Sequence, residues 1–153
     1  MKFFEGARPG MYFQGGRLKQ DKKTLVRYWV LTFAITLKSA LVHRCEEAIV
    51  SNFAQISTAE NSCVDLGMNQ NIDAASIEFF ELEEGGASLI TLGECAIENL
   101  RMTRVEGLVE LWITVEHNNT DKLHAFVKDY AFTRVWAEFR PRQLTLGVAK
   151  KKK

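Results

Sequence analysis

The stretch Lys23–Leu37, KTLVRYWVLTFAITL, decides how this chain is read. Leu25, Trp29, Leu31, Phe33, Ile35 and Leu37 hold the odd positions with only Arg27 breaking the set, while the even positions soften to Thr32, Ala34 and Thr36. Period two in a run of β-branched and aromatic residues predicts a strand with one face in the core. The densest apolar part, Tyr28 to Leu37, is closed by Arg27 and Lys38 and is half as long as a membrane-spanning helix must be.

Upstream, Met11-Tyr12-Phe13 runs into Gln14-Gly15-Gly16, which predicts a short strand entering a tight turn. Residues 1–22 therefore read as a basic N-terminal arm or edge hairpin. Downstream the period changes at Ser39. Leu41, Cys45, Ala48, Ile49, Phe53 and Ile56 recur at helical spacing behind Ser39 as an N-cap, predicting a helix from about Ala40 to Ile56. Ser57–Ala75 is polar and aperiodic, a long loop.

Ile77–Leu82 and Ser88–Leu92 read as strands around the turn Glu83-Glu84-Gly85-Gly86, and Glu94–Val105 and Leu108–His117 as a hairpin around Glu106-Gly107. Asn118-Asn119-Thr120-Asp121 suits a turn and N-cap, and Leu123, Phe126, Val127 and Tyr130 then predict a short helix to about Ala131. Thr133–Phe139 is a last strand stopped by Pro141. The expected fold is α+β: a mainly antiparallel sheet of about six strands with two helices packed on one face, split βαβ-like. The arm 1–22 precedes a single domain, 23–142, and a mobile basic C-terminal tail, 143–153.

With 153 residues, 46% hydrophobic and 25% charged, the chain has the composition of a globular domain able to build a core without staples. Cys45, Cys63 and Cys95 are odd in number and never paired as C-x-x-C, so neither a disulfide framework nor a zinc finger is indicated. With Glu5 and Arg8 interrupting any secretory signal, a cytoplasmic location is expected, and Asn118-Asn119-Thr120 is a chance sequon.

No G-x-G-x-x-G, Walker, G-x-S-x-G or H-E-x-x-H pattern occurs. His43 and Cys45 would point about 200° apart on a helix, and His117 and His124 lack a third ligand, so no metal and no cofactor are expected. Glu78, Glu81, Glu83 and Glu84 raise a metal-dependent nuclease only to lower it again, since that chemistry usually keeps a lysine nearby and residues 45–100 contain no Lys or Arg. They read as an acidic sheet edge that deters unwanted pairing.

A net charge of +1 hides a segregation. Residues 1–44 carry nine Lys/Arg against two Asp/Glu, residues 45–100 eleven Asp/Glu, and residues 101–153 eleven Lys/Arg against six Asp/Glu. Either these segments interleave in the fold and neutralise one another, or they form surfaces of single sign. Arg17, Lys19, Lys22 and Lys23, with Arg27 and the aromatics Tyr12, Phe13, Tyr28 and Trp29 about them, have the mixture that grips a phosphate backbone, although lysines beside a turn are commonly only solubilising.

Three functional readings follow. The first is a non-enzymatic assembly protein that self-associates through a basic arm (Arg17, Lys19, Lys22, Lys23) and an acidic edge (Glu78, Glu81, Glu83, Glu84). The second is a nucleic-acid-binding protein using the arm and tail, and the third an enzyme whose site is assembled from distant positions. The expected partner is a second copy or another protein, possibly nucleic acid, and not a membrane.

Overall fold

The computed structural model describes residues 2–58, 62–66 and 72–140. The alternating run forms β2 (Arg27–Thr36), which pairs antiparallel with β1 (Gly10–Gln20) on one side and β6 (Leu108–Asn118) on the other. Among the described residues the other strands are β3 (Ser62–Asp65), β4 (Ile72–Phe80), β5 (Ser88–Val105) and β7 (Arg134–Arg140). The helices are α1 (Ser39–Val42), α2 (Glu47–Ile56) and α3 (Asp121–Tyr130).

The sheet runs β4-β7-β1-β2-β6-β5, and β5 pairs back onto β4, closing a six-stranded antiparallel barrel. The expectation of an open α+β sheet with two helices on one face is overturned: most of the described residues are in strands, few are in helices, and the sheet meets itself. Period two reports that one face is buried but is silent on whether the two edges join. The joining strand is β5. Its 18 residues pair with β4 through the first half and with β6 through the second, bending at Glu94 (φ 54°) and Asn99 (φ 54°). The expected break near Gly93 is therefore a bend in one strand. β3 lies inside the expected loop, pairs with the end of β5 beyond β4, and runs in the same sense as β4.

The helices sit at opposite ends of the barrel. α3 follows β6 and packs on β1 and β5, with Thr120 Oγ1 accepting from the Leu123 N–H as the expected cap. α1 and α2 follow β2 at the other end, and α2 packs on β3 and β5. The single helix expected over Ala40–Ile56 is broken at His43–Glu46, where the N-terminal segment laces in: the Glu5 N–H donates to the Arg44 carbonyl and the Glu46 N–H to the Lys2 carbonyl. Gly15 (φ 98°) and Gly16 make a bulge within β1 rather than the expected turn. A Cβ on Gly16 would lie 2.6 Å from Leu31 Cδ2, so this site needs glycine for approach as well as for bending.

Side chains fill the interior. Phe13, Phe33, Phe79 and Phe126 stack with ring centroids 4.7 to 5.5 Å apart beneath α3, and Phe3, Phe4 and Phe139 plug the other end. Trp29, Leu31, Phe33, Ile35, Val109, Leu111, Ile113, Cys45 and Ile49 are buried in one cluster, with Leu41 and Phe53 partly buried against it. No helix among the described residues is long and apolar enough to cross a membrane.

Candidate interaction surfaces

β1 is built into the wall only at its start. On the β7 side its strand pairing covers Gly10–Tyr12, so from Arg17 to Gln20 β1 has a neighbouring strand on one side alone. β2 leaves β6 at Tyr28, so of this β1–β2 arm only the Gln20–Arg27 pair and the turn between them run beyond the ladder with β6, and Asp21, Thr24 and Val26 of that turn line a cleft with Glu94, Ala96 and Glu116. Arg17, Lys19, Lys22 and Lys23 are all on this arm and all exposed. Among the described residues none of the four has a side-chain ion pair or hydrogen bond. The aromatics about them separate: Phe13 and Trp29 enter the core, leaving Tyr12 exposed and Tyr28 half-buried. No stacking row of four rings lines the arm.

The tip of the arm is tightly bonded. Asp21 Oδ1 accepts from the N–H groups of Lys23 (2.8 Å) and Thr24 (2.9 Å), which hold its carboxyl below the usual range. The Asp21 N–H donates to the Val26 carbonyl, the Leu25 N–H to the Asp21 carbonyl, and Gln20 Nε2 to the Leu25 carbonyl. These bonds hold Leu25 at φ 62° and leave it 66% exposed, with Val26 52% exposed. The alternation had placed Leu25 in the core. Arg27 breaks the pattern because the strand begins there, which the flanking Asp21, Lys22 and Thr24 could have signalled.

The acidic residues occupy the opposite side of the barrel, since two strand positions separate β4 and β5 from β1 and β2 in either direction around the wall. They do not act as one set. Glu78 projects from β4 and accepts from Arg140 (3.1 Å), while Glu81, Glu83 and Glu84 are exposed in the β4–β5 loop. A hydrogen bond with the Ser88 side chain and the Arg140 guanidinium hold the Glu78 carboxyl below its ordinary range.

Beside Glu78 the wall carries a network that the sequence did not reveal. Arg8 makes two bonds to Glu138 Oε2 (2.9 and 2.8 Å), donates to the carbonyls of Leu82 and Gly85, and lies 3.4 Å over the Phe80 ring. Arg140 reaches the second oxygen of Glu138 at 2.8 Å. A cleft of about 670 Å³ runs beside it, between Arg8 and Arg140 on one hand and Glu83 and Glu84 on the other. The ladder pairing of β4 with β7 creates the network, and no spacing in the sequence announces a contact between residues 8 and 138.

A second groove, about 540 Å³, lies between α3 and the start of β5. Its walls are Leu89, Ile90, Ala125, Phe126 and Tyr130, and its charged groups are Lys122 and Asp129. Desolvation, followed by the carboxylates of Glu81 and Asp129, raises the Tyr130 hydroxyl above its usual range, which sets Glu81 of the acidic loop near the rim of the groove.

Among the described residues, no three His, Cys, Asp or Glu side chains group so as to hold a metal. Burial pushes the Cys45 thiol up to about 11 and the Cys95 thiol up to about 12, so both stay protonated at neutral pH, where a thiolate nucleophile is needed. The basic tail, 143–153, lies outside the described residues. The chain matches no family model, no curated protein and no solved structure.

Proposed function

We propose that this is a non-enzymatic assembly protein whose basic β1–β2 arm engages the acidic side of a neighbouring copy. The observation that carries the reading is the arm itself: four exposed cations without partners among the described residues, Arg17 and Lys19 on a strand with one bare edge and Lys22 and Lys23 in the turn after it. A bare edge is a feature that a monomer usually suppresses. The exposed carboxylates Glu81, Glu83 and Glu84 lie at the same end of the barrel as the arm but on its far side. A contact between two different patches is heterologous, and repeating it yields a ring where the rotation closes and a filament where it does not.

The test uses nuclease-treated full-length protein and the fourfold variant Arg17→Gln, Lys19→Gln, Lys22→Gln, Lys23→Gln, compared by sedimentation velocity at low and high salt. The wild type is expected to form a discrete oligomer that salt weakens, and the variant to remain monomeric with an unchanged thermal midpoint, because exposed charges contribute little to stability. A wild type that is monomeric at low salt overturns the reading. If that monomer binds DNA or RNA with an affinity falling steeply in salt, the arm is a polyanion grip instead. If it ignores nucleic acid as well, a dispersed-site enzyme takes first place.

A further inference from the structure

We propose that the arm ends in a preformed apolar plug, Leu25 with Val26, which seats in the groove between α3 and β5 of a second copy of this chain. The inference rests on the assembly reading and says what the arm docks into.

The plug is unusual on three counts. Leucine pays a steric penalty in the left-handed region, where glycine or asparagine sits more easily, yet Leu25 is held there at φ 62°. The hydrogen bonds of Asp21, Thr24 and Gln20 fix the turn around it, with Thr24 Oγ1 also accepting from the Val26 N–H at 3.2 Å. Both apolar side chains nevertheless face solvent. A strained, fully bonded turn that presents two branched aliphatic groups to water gains nothing within the monomer. It lowers the ordering cost of burying them against something else.

The groove suits this occupant in chemistry. Leu89, Ile90, Ala125, Phe126 and Tyr130 give it an apolar wall beside the polar Thr91, Lys122 and Asp129, and about 540 Å³ accommodates two branched aliphatic side chains. Lys22 and Lys23 precede the plug by two or three residues, and the groove offers Asp129 inside and Glu81 at the rim, against Lys122 as the opposing charge. α3 crosses the end of the barrel at which the arm turns. Lys122 of its first turn and Asp129 and Tyr130 of its last all line the groove against β5, and the chain beyond it returns to β1, where the Phe132 N–H donates to the Phe13 carbonyl. Val26 lines a cleft with Glu94 and Ala96 of β5, whereas the groove is walled by Leu89, Ile90 and Thr91 of the same strand, so plug and groove are separate features along β5. A neighbour that presents its plug to this groove makes a heterologous contact, and the contact repeats.

Two variants separate this inference from the reading on which it rests. Leu25→Gly removes the side chain and relaxes the backbone, so the protein is expected to keep or raise its thermal midpoint. Its association should weaken by about tenfold or more, the loss of one buried aliphatic side chain. Ala125→Arg, at an exposed position on α3, fills the groove and repels Lys22 and Lys23, with the same expected loss. Each variant keeps the half that the other lacks. Mixed in equal amounts at high concentration they are expected to form a complex of two chains and no larger species, read by sedimentation velocity. If the wild type assembles and either variant does so as well as it does, or if the mixture stays monomeric, the plug is overturned while assembly through the arm stands. A wild type that never associates overturns both.

Discussion

The β4–β7 wall and the β1–β2 arm start from the same imbalance of charge and end differently. On the wall, Arg8 and Arg140 come from the basic ends of the chain and Glu78 from its acidic middle, and strand pairing sets them within hydrogen-bonding distance around Glu138. On the arm, Arg17 and Lys19 stand opposite Val30 and Tyr28, which pair in turn with Glu116 and Asn118, and Lys22 and Lys23 sit in the turn, yet none of the four makes an ion pair among the described residues. Strand pairing of basic with acidic segments joins the charges of the wall and leaves those of the arm unpaired among the described residues.

The largest effect erases the comparison by removing what both regions share. Phe33 lies on β2, between Phe13 and Phe79 in the ring stack, and is fully buried. Phe33→Ala should cost about 3 to 5 kcal/mol, and the denaturant midpoint should fall accordingly. A midpoint within error of the wild type would mean that the barrel interior is packed differently.

A smaller effect sharpens the comparison. Arg8 is held by Glu138, by two carbonyls and by the Phe80 ring, and its side chain is only 17% exposed. Arg8→Ala should destabilise by about 1 to 2 kcal/mol, since charge-assisted bonds and a stacked ring are lost from a half-desolvated site. Arg17→Ala on the arm should change stability by less than about 0.5 kcal/mol. Equal losses for the two in chemical denaturation would refute the distinction between neutralised wall and free arm.

Legibility in the sequence follows the same division. Local patterns found β2, the β5–β6 hairpin, α3 with its Thr120 cap and most of the core, because period and capping are properties of neighbouring residues. Closure was invisible: it depends on β5 serving β4 and β6 with different halves, and only the left-handed kinks at Glu94 and Asn99, set by tertiary context, permit it. The break at His43–Glu46 was hidden for a similar reason, since it is filled by backbone bonds from Lys2 and Glu5 some 40 residues away. Of the charged side chains, the exposed Arg17, Lys19, Lys22 and Lys23 stand out in the composition. Arg8, Arg140 and Glu138 do not, and Leu25 was read onto the wrong side of the surface.

The smallest effect tests whether pairing on the wall is electrostatic. Glu78 titrates below its ordinary value of 4.5, held there first by a hydrogen bond with the Ser88 side chain and then by Arg140. A carboxyl depressed in the folded state contributes stability that is fully present above its unfolded value. That contribution is lost as pH falls through the folded value, because the proton then binds both states alike. Glu78→Gln should therefore be slightly less stable than the wild type at neutral pH, and the two curves should converge as the medium is acidified below about pH 4. Added salt should narrow the neutral-pH gap, since Glu78 and Arg140 are both partly exposed. The fourfold Gln variant of the arm should show no such acid-dependent convergence, because its cations have no carboxylate partner among the described residues to protonate. Stability curves for Glu78→Gln and wild type that run parallel from pH 7 to pH 3 would show that Glu78 is held by packing and not by charge, and the contrast between wall and arm would then rest on Arg8 and Glu138 alone.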